Sequence, residues 1–198
     1  MMIIGITGGI GSGKSIVCNI FRQIGIAVYD ADTAAKKLYN TQPEIINSIK
    51  KEFTEDVFDK KGKIDKQKLA LLVFGDESAL KNLNRIVHPF VKRHFEEWVA
   101  SQTAIYILKE AAILFESGSD KGCDKIITVT APVDLRIQRT MLRDRRSKAE
   151  VEQIVSKQWN DEEKIKHSDF VITNDDQQMI IPQVLEIHSK LIAFSNDK

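Results

Sequence analysis

Short runs of apolar and β-branched residues recur along the chain, and their length is typical of buried strands. Five such runs stand out, at residues 3–7, 26–29, 104–108, 125–130 and 170–173. Between the first two, the apolar side chains of residues 14–24 recur at helical spacing, and Gly25 follows where a helix would end. The pattern therefore predicts a strand, a helix and a second strand at the start of the chain.

The helical stretches between these runs indicate how the strands are connected. Strands separated by helices favour a mostly parallel sheet that is covered by helices on both faces. We therefore predict an α/β fold in three layers around a five-stranded, mostly parallel sheet. In such a sheet, ligands gather at the carboxyl ends of the strands.

The long interval between the second and third strands carries no convincing strand pattern. It indicates several helices, one after Pro43, one at residues 68–74 and one at residues 80–98. A chain of 198 residues is too short for two full-sized domains. We therefore predict a single domain, in which residues 1–32 and 103–198 form the core and residues 33–102 form an inserted helical subdomain.

A charged segment, residues 133–158, is dense in arginine. Within it, Ser147 and Glu150 have the spacing of a capping box, which predicts a helix start and two helices joined by a charged turn. Pro182 is expected in the first turns of a terminal amphipathic helix.

Composition and charge restrict the kinds of partner. The chain has 29 basic and 28 acidic residues, so a basic patch would be local and suited to a small anion, and we expect no nucleic-acid partner. Cys18 and Cys123 lack a metal-ligand spacing and fit a reducing compartment. No apolar run reaches the roughly 18 residues of a membrane span, and no leader pattern is present. We expect a cytoplasmic protein without a membrane partner.

Residues 8–15 read Gly-Gly-Ile-Gly-Ser-Gly-Lys-Ser and match the phosphate-loop pattern G-x-x-x-x-G-K-[ST]. The match lies directly after a predicted strand and opens a predicted helix, as phosphate binding requires. Backbone N–H groups and the helix N-terminus would face the β- and γ-phosphates of a nucleotide. Lys14 would neutralise the terminal phosphates during transfer, and Ser15 would hold Mg²⁺.

The phosphate loop does not identify the group that receives the phosphate. The Asn-Lys-x-Asp motif expected of a GTPase does not occur in the sequence. A motor or switch ATPase usually needs a larger chain or partner modules. A small-molecule kinase fits the chain length, the helical insertion and the arginine-rich segment.

The second predicted strand ends in Asp30-Ala31-Asp32, which places two carboxylates at the sheet edge beside the phosphate loop. A carboxylate there can orient an acceptor hydroxyl and take its proton, or help to bind the metal. Asp32 could instead cap the following helix, and the two roles could coexist.

On these residues, the chain resembles the dephospho-coenzyme A kinase family of P-loop kinases, nearly end to end. The matching motifs are Thr7 to Ser15, Asp30 to Asp32, His88-Pro89, Glu110 to Glu116, Arg139 with Arg143-Asp144 and the Ser147 turn, and Ser168 to Asn174. The phosphate loop is shared by many families, but its combination with the other motifs is specific. In two places the chain departs from the family pattern, with Ala112 replacing a usual proline and Ile16 replacing a hydroxyl residue.

The resemblance implies a P-loop NTPase fold and transfer of the γ-phosphate of ATP to the ribose 3′-hydroxyl of dephospho-coenzyme A, with Mg²⁺. This is the last step of coenzyme A synthesis, and no obligate protein partner is evident. The resemblance favours Asp32 over Asp30 as general base, with Asp30 supporting the acceptor or the metal. The residues expected to contact the ATP phosphates are Gly9, Gly11, Ser12, Gly13, Lys14, Ser15, Ile16 (through its backbone) and Arg143.

Five further residues are candidates for the site. Arg139 and Arg143 share a helix face and would close over the phosphates as part of a lid, residues 139–160, with Arg139 as a catalytic residue. Alternatively, both belong to a solvated charged face. His88 would bind the acceptor, or merely end or kink a helix before its proline. Glu110 would contact the acceptor or order magnesium waters, or form a salt bridge. Asn174 lies where backbone groups could flank an adenine ring.

Two other functions compete with the favoured one. The first is a kinase for another small metabolite, such as a nucleoside monophosphate. The second is a nucleotide-dependent binding module whose lid presents a surface to a partner.

Overall fold

The computed structural model describes residues 1–53, 57–59 and 62–196. The chain forms two compact units. The first consists of Met1–Asp30 and Thr103–Lys198 and contains the sheet, and the second consists of Ala31–Gln102 and is mainly helical in its described residues.

The sheet of the first unit has five parallel strands in the order β2-β3-β1-β4-β5. The strands are β1 (Met2–Thr7), β2 (Val28–Asp30), β3 (Tyr106–Glu110), β4 (Lys125–Thr130) and β5 (Phe170–Thr173). The predicted α/β fold with a five-stranded parallel sheet is confirmed. β2 and β3 begin two residues later than predicted. In β2 this is because the N–H of Ile26 donates to the carbonyl of Phe21, which makes Ile26 part of the turn after the first helix.

Nine helices are present within the described residues. They are α1 (Lys14–Gln23), α2 (Ala31–Thr41), α3 (Pro43–Glu52), α4 (Lys66–Gly75), α5 (Glu77–Ala100), α6 (Val133–Asp144), α7 (Lys148–Ser156), α8 (Asp161–Lys166) and α9 (Ile180–Asn196). α8 was not predicted from the sequence. None of the helices in the described ranges combines the length and the apolar character that a membrane crossing would demand.

Side chains alternate between the two faces of the sheet and so define its layers. Ile127 and Val129 of β4 face a buried cluster to which α1 contributes Phe21 and α9 contributes Leu191. Thr128 lies between them and points to the other face, where its hydroxyl is 2.6 Å from that of Ser168, just after α8. The sheet is therefore covered by α1 and α9 on one face and by α8 on the other.

The second unit has its own hydrophobic core, formed by buried side chains of α2, α3, α4 and α5. Asp76 caps the start of α5, and its carboxylate accepts the N–H groups of Ser78 (2.8 Å) and Ala79 (3.2 Å). The helix continues through Pro89 to Ala100, so the idea that His88-Pro89 ends a helix is wrong.

α2 begins at Ala31, directly after β2 ends at Asp30. Asp32 therefore lies inside the first turn of α2 and does not cap it, so the capping alternative is wrong. Its negative charge still interacts favourably with the positive end of the helix dipole.

Candidate active site

The phosphate loop, residues 8–15, joins β1 to α1 in the first unit. Gly13 adopts a left-handed backbone conformation (φ 94°), which disfavours a side chain. A Cβ atom there would also lie 2.1 Å from the amide nitrogen of Asn174. Glycine is therefore required by both the turn and the close approach of Asn174.

Lys14 is the first residue of α1, and its ammonium group folds back into the loop. It donates to the carbonyl oxygen of Gly8 at 2.7 Å and lies 3.5 Å from the carbonyl oxygen of Gly9. The positive charge is therefore held against the loop backbone, at the carboxyl end of β1.

The oxygen-bearing side chains of Ser15, Asp30 and Glu110 lie at the same edge of the sheet. Glu110 ends β3, where the strand register pairs it with Asp30 of β2 and with Ile6 of β1. The Ser15 hydroxyl donates to Glu110 Oε1 at 3.4 Å. Glu110 therefore joins the phosphate loop to the end of β2.

Burial changes the pKa values of two side chains at this edge of the sheet, Glu110 and Cys18. Burial raises the pKa of the Glu110 carboxyl, the negative charge of Asp30 raises it further, and a hydrogen bond from Cys18 opposes the shift. Burial also raises the pKa of the Cys18 thiol, which keeps Cys18 protonated as a donor. The ionised form of Glu110 is therefore held in the folded protein at a cost in stability.

We expect Glu110→Gln to raise the melting temperature at neutral pH. A carboxyl whose pKa is raised on folding stabilises the protein when it is protonated, and that stability is lost as the pH rises through the raised pKa. The gain should therefore shrink as the pH falls and wild-type Glu110 takes up its proton. Thermal unfolding at pH 8 and pH 5 measures this, with the exposed Glu152→Gln as control. A gain that grows toward low pH would contradict the assignment.

Arg136 of α6 lies beside the loop and was missed from the sequence. Its side chain is 4% exposed, and Nη1 is 3.1 Å from Oδ1 of Asp161 in α8. A Cβ atom on Gly9 would lie 1.5 Å from the same nitrogen. The available signal was its spacing, because Arg136, Arg139 and Arg143 follow one another at intervals of three and four and share a helix face.

We expect Gly9→Ala to weaken ATP binding. The added methyl group would collide with the Arg136 guanidinium, which cannot retreat without leaving Asp161. Overpacking of this kind costs about 1–3 kcal/mol, and a cost of that size borne by the loop that binds the phosphates corresponds to a fall in affinity of about fivefold or more. Isothermal titration with ATP measures the change. Gly122→Ala is the matched control, since a Cβ atom there meets no atom within 4 Å. Equal affinity in both variants would contradict the expectation.

The two predicted lid arginines differ in their surroundings. Arg139 donates through Nη1 to the carbonyl of Asn174 at 3.0 Å and also pairs with Asp176. Arg143 is exposed and bound by its neighbour Asp144, with Nε 2.7 Å from Oδ1. The structure therefore brings Arg139 to the segment beside the loop and leaves Arg143 in its pair with Asp144.

Asn174 braces the phosphate loop. Its side-chain amide donates to the carbonyl of Ser12 at 2.8 Å, and its own N–H donates to Thr130 at 2.9 Å. Since its carbonyl also accepts from Arg139, this buried residue ties the loop to α6. The sequence had suggested only that its backbone lies where an adenine ring could be flanked.

The remaining predicted residues are placed as follows. Ile16 donates its N–H to the carbonyl of Gly13 at 3.0 Å, so this N–H already serves the first turn of α1. Asp32 and His88 belong to the second unit, Asp32 in the first turn of α2 and His88 in α5.

Comparison with protein families gives one match that spans most of the chain. The family model described as "Dephospho-CoA kinase" matches residues 2–179. A protein from Bacteroides fragilis with the same name is 41% identical over 196 residues, covering 98% of this chain and 93% of the relative.

Two solved structures are similar in fold and in sequence. The crystal structure of TT1252 from Thermus thermophilus has a TM-score of 0.86 and 34% identity. The dephospho-CoA kinase from Campylobacter jejuni has a TM-score of 0.67 and 25% identity. Each comparison covers 96% of both chains.

Proposed function

The chain belongs to the dephospho-CoA kinase family, and from this premise we propose which of its residues perform each part of the reaction. It is an ATP-dependent kinase that transfers the γ-phosphate of ATP to the ribose 3′-hydroxyl of dephospho-coenzyme A, giving coenzyme A and ADP. The observation that carries our assignment of roles is the position of the Lys14 ammonium, inside the loop at the carboxyl end of β1.

Lys14 and the loop bind the terminal phosphates of ATP. The N-terminus of α1 adds the positive end of its dipole at the same place. Since phosphoryl transfer spreads negative charge over the γ-phosphate oxygens, a fixed ammonium group stabilises the transition state more than the ground state. Ser15, Ser12 and the loop glycines hold the phosphates in line for transfer.

Mg²⁺ is the metal that this site fits. Within residues 1–53, 57–59 and 62–196, no group of three or more His, Cys, Asp or Glu side chains forms a complete metal cage. The hydroxyl of Ser15, backed by Glu110, is a hard oxygen ligand, and Mg²⁺ typically takes one or two protein oxygens together with phosphates and water. When bound, it would neutralise charge on the β- and γ-phosphates.

Asp32 acts as the general base. The 3′-hydroxyl oxygen forms a bond to the γ-phosphorus while the bond to the bridging oxygen of ADP breaks, and the hydroxyl proton passes to the Asp32 carboxylate. Asp30, at the end of β2, supports the acceptor or the metal together with Glu110. His88 helps to bind dephospho-coenzyme A in the helical unit, which serves as the acceptor subdomain.

Residues 139–160 form a lid that protects the transferred group from water. A kinase that admits water to the γ-phosphate hydrolyses ATP instead of transferring its phosphate. Arg139 is already fixed by Asn174, next to the loop, and stabilises the developing charge. Arg143 has to leave Asp144 in order to reach a phosphate, so we assign it to the closed form of the lid.

A coupled assay with purified protein, MgATP and dephospho-coenzyme A tests the function, with the product identified as coenzyme A by mass. Faster consumption of a nucleoside monophosphate would move the assignment to another small-metabolite kinase. Tight ATP binding without transfer to any hydroxyl would favour a nucleotide-dependent binding module. The cytoplasmic location and the lack of an obligate protein partner stay predictions from the sequence.

A further inference from the structure

The peptide bond between Gly9 and Ile10 is held at both of its ends. Its N–H group, on Ile10, donates to the side-chain oxygen of Gln158 at 2.8 Å. Its carbonyl group, on Gly9, accepts the N–H of Ser12 at 3.1 Å and lies 3.5 Å from the Lys14 ammonium. These contacts join the tip of the loop to a residue 148 positions further along the chain.

A peptide unit is planar, so its N–H and C=O groups turn together. If the N–H of Ile10 leaves Gln158 and rotates, the carbonyl of Gly9 rotates away from Ser12 and from Lys14. The side chain of Gln158 therefore controls the direction of a carbonyl group that helps to place the catalytic ammonium.

Gln158 is itself fixed by its surroundings. Its N–H donates to the carbonyl of Val155 at 3.1 Å, at the end of α7. The next residue, Trp159, donates its N–H to Glu116 at 2.8 Å and stacks on Phe115 with ring centres 5.5 Å apart. The Gln158 side chain thus starts from a backbone that is anchored to the segment after β3.

Glu116, which holds Trp159, also forms a buried ion pair. Oε1 of Glu116, which accepts from Trp159, lies 2.9 Å from the ammonium of Lys164, and the Lys164 side chain is fully buried. Breaking such a pair leaves a buried charge uncompensated, so it holds its geometry strongly. The backbone next to Gln158 is therefore fixed, through Trp159 and Glu116, to the buried side chain of Lys164.

We propose that Gln158 is a positioning residue for phosphoryl transfer, which fixes the Gly9–Ile10 peptide and through it the ammonium of Lys14. The proposal rests on the role given above to Lys14. It also gives the carboxyl end of the lid segment, residues 139–160, a direct connection to the phosphate loop.

Two variants separate the hydrogen bond from the shape of the side chain. Gln158→Met keeps the length but loses the acceptor oxygen, and Gln158→Glu keeps an acceptor oxygen. Loss of one hydrogen bond should lower kcat of Gln158→Met about tenfold. The amide of Ile10 should exchange with solvent faster in Gln158→Met and stay protected in Gln158→Glu, as measured by NMR. Gln23→Met, at the exposed last residue of α1, is the control and should match the wild type in both measurements.

Two results would overturn the proposal. One is an Ile10 amide that exchanges equally slowly in Gln158→Met and in the wild type. The other is faster exchange with kcat equal to that of Gln23→Met, because the peptide would then be free without consequence for transfer. A wild-type protein that fails to phosphorylate dephospho-coenzyme A would contradict the proposed function instead, and the Ile10 exchange rates would still test the hydrogen bond.

Discussion

Lys14→Ala is expected to lose more than about 2 kcal/mol of transition-state stabilisation, by analogy with the removal of single electrostatic donors. This corresponds to a fall in kcat/KM of about 30-fold or more. The ammonium lies within the loop, 2.7 Å from the carbonyl of Gly8, so the substitution removes a positive charge at the carboxyl end of β1. Steady-state kinetics with MgATP and dephospho-coenzyme A measure the loss.

The control for this variant is Lys190→Ala. Lys190 lies on α9, where it is exposed and paired with Glu186 at 2.7 Å, and its removal changes the overall charge by the same amount. It should keep wild-type kinetics. Unchanged turnover in Lys14→Ala would overturn the phosphate-site assignment, whatever the control does.

Asp32→Asn is expected to lower kcat about 100-fold or more while ATP affinity is mostly retained, because general-base catalysis contributes at least that much. Asparagine keeps the size of the side chain but cannot accept the hydroxyl proton. It also removes a favourable charge from the first turn of α2, which should cost less than about 1 kcal/mol of stability. Turnover rates and titration with ATP separate the two effects.

Asp30→Asn is the companion variant that tests which aspartate is the base. Asp30 ends β2 opposite Glu110, so its loss should act on acceptor or metal binding and raise KM more than it lowers kcat. If Asp32→Asn changes KM alone and Asp30→Asn abolishes turnover, the two roles are exchanged.

The parts of the fold that could be predicted from sequence are those determined by local pattern. Strand runs, helical periodicity and the capping box at Ser147 depend on neighbouring residues, and the structure has both hydrogen bonds of that box. The phosphate loop was found for the same reason, since its glycines and Lys14 are contiguous. The family resemblance, carried by motifs of this kind, is confirmed by the match over residues 2–179.

The contacts that hold the loop in place were not predicted, because they join residues far apart in sequence. Asn174 binds Ser12 from 162 positions away, and Gln158 binds Ile10 from 148. Neither asparagine nor glutamine has a spacing that marks it as a loop contact. Arg136 was passed over because an arginine in a charged run ordinarily lies in solvent, whereas this one is buried against Gly9.

Two alternatives that the structure excludes, both in the helical unit, have a common cause. β2 passes into α2 without a loop, so the residue expected at the cap of the helix lies inside it. α5 likewise continues through Pro89, although a proline usually ends or kinks a helix. In both places the helix extends past a residue that locally marks a helix boundary.

The strand order also determines when the site can form during synthesis. β1 is the first strand made, but both of its sheet neighbours, β3 and β4, come from the chain after residue 105. The helical unit, Ala31–Gln102, is complete before either neighbour exists and has its own apolar core. On the ribosome, the helical unit can therefore fold first. The phosphate loop cannot take its final position until β3 and β4 have been synthesised. Asn174, which binds the loop, is synthesised later still.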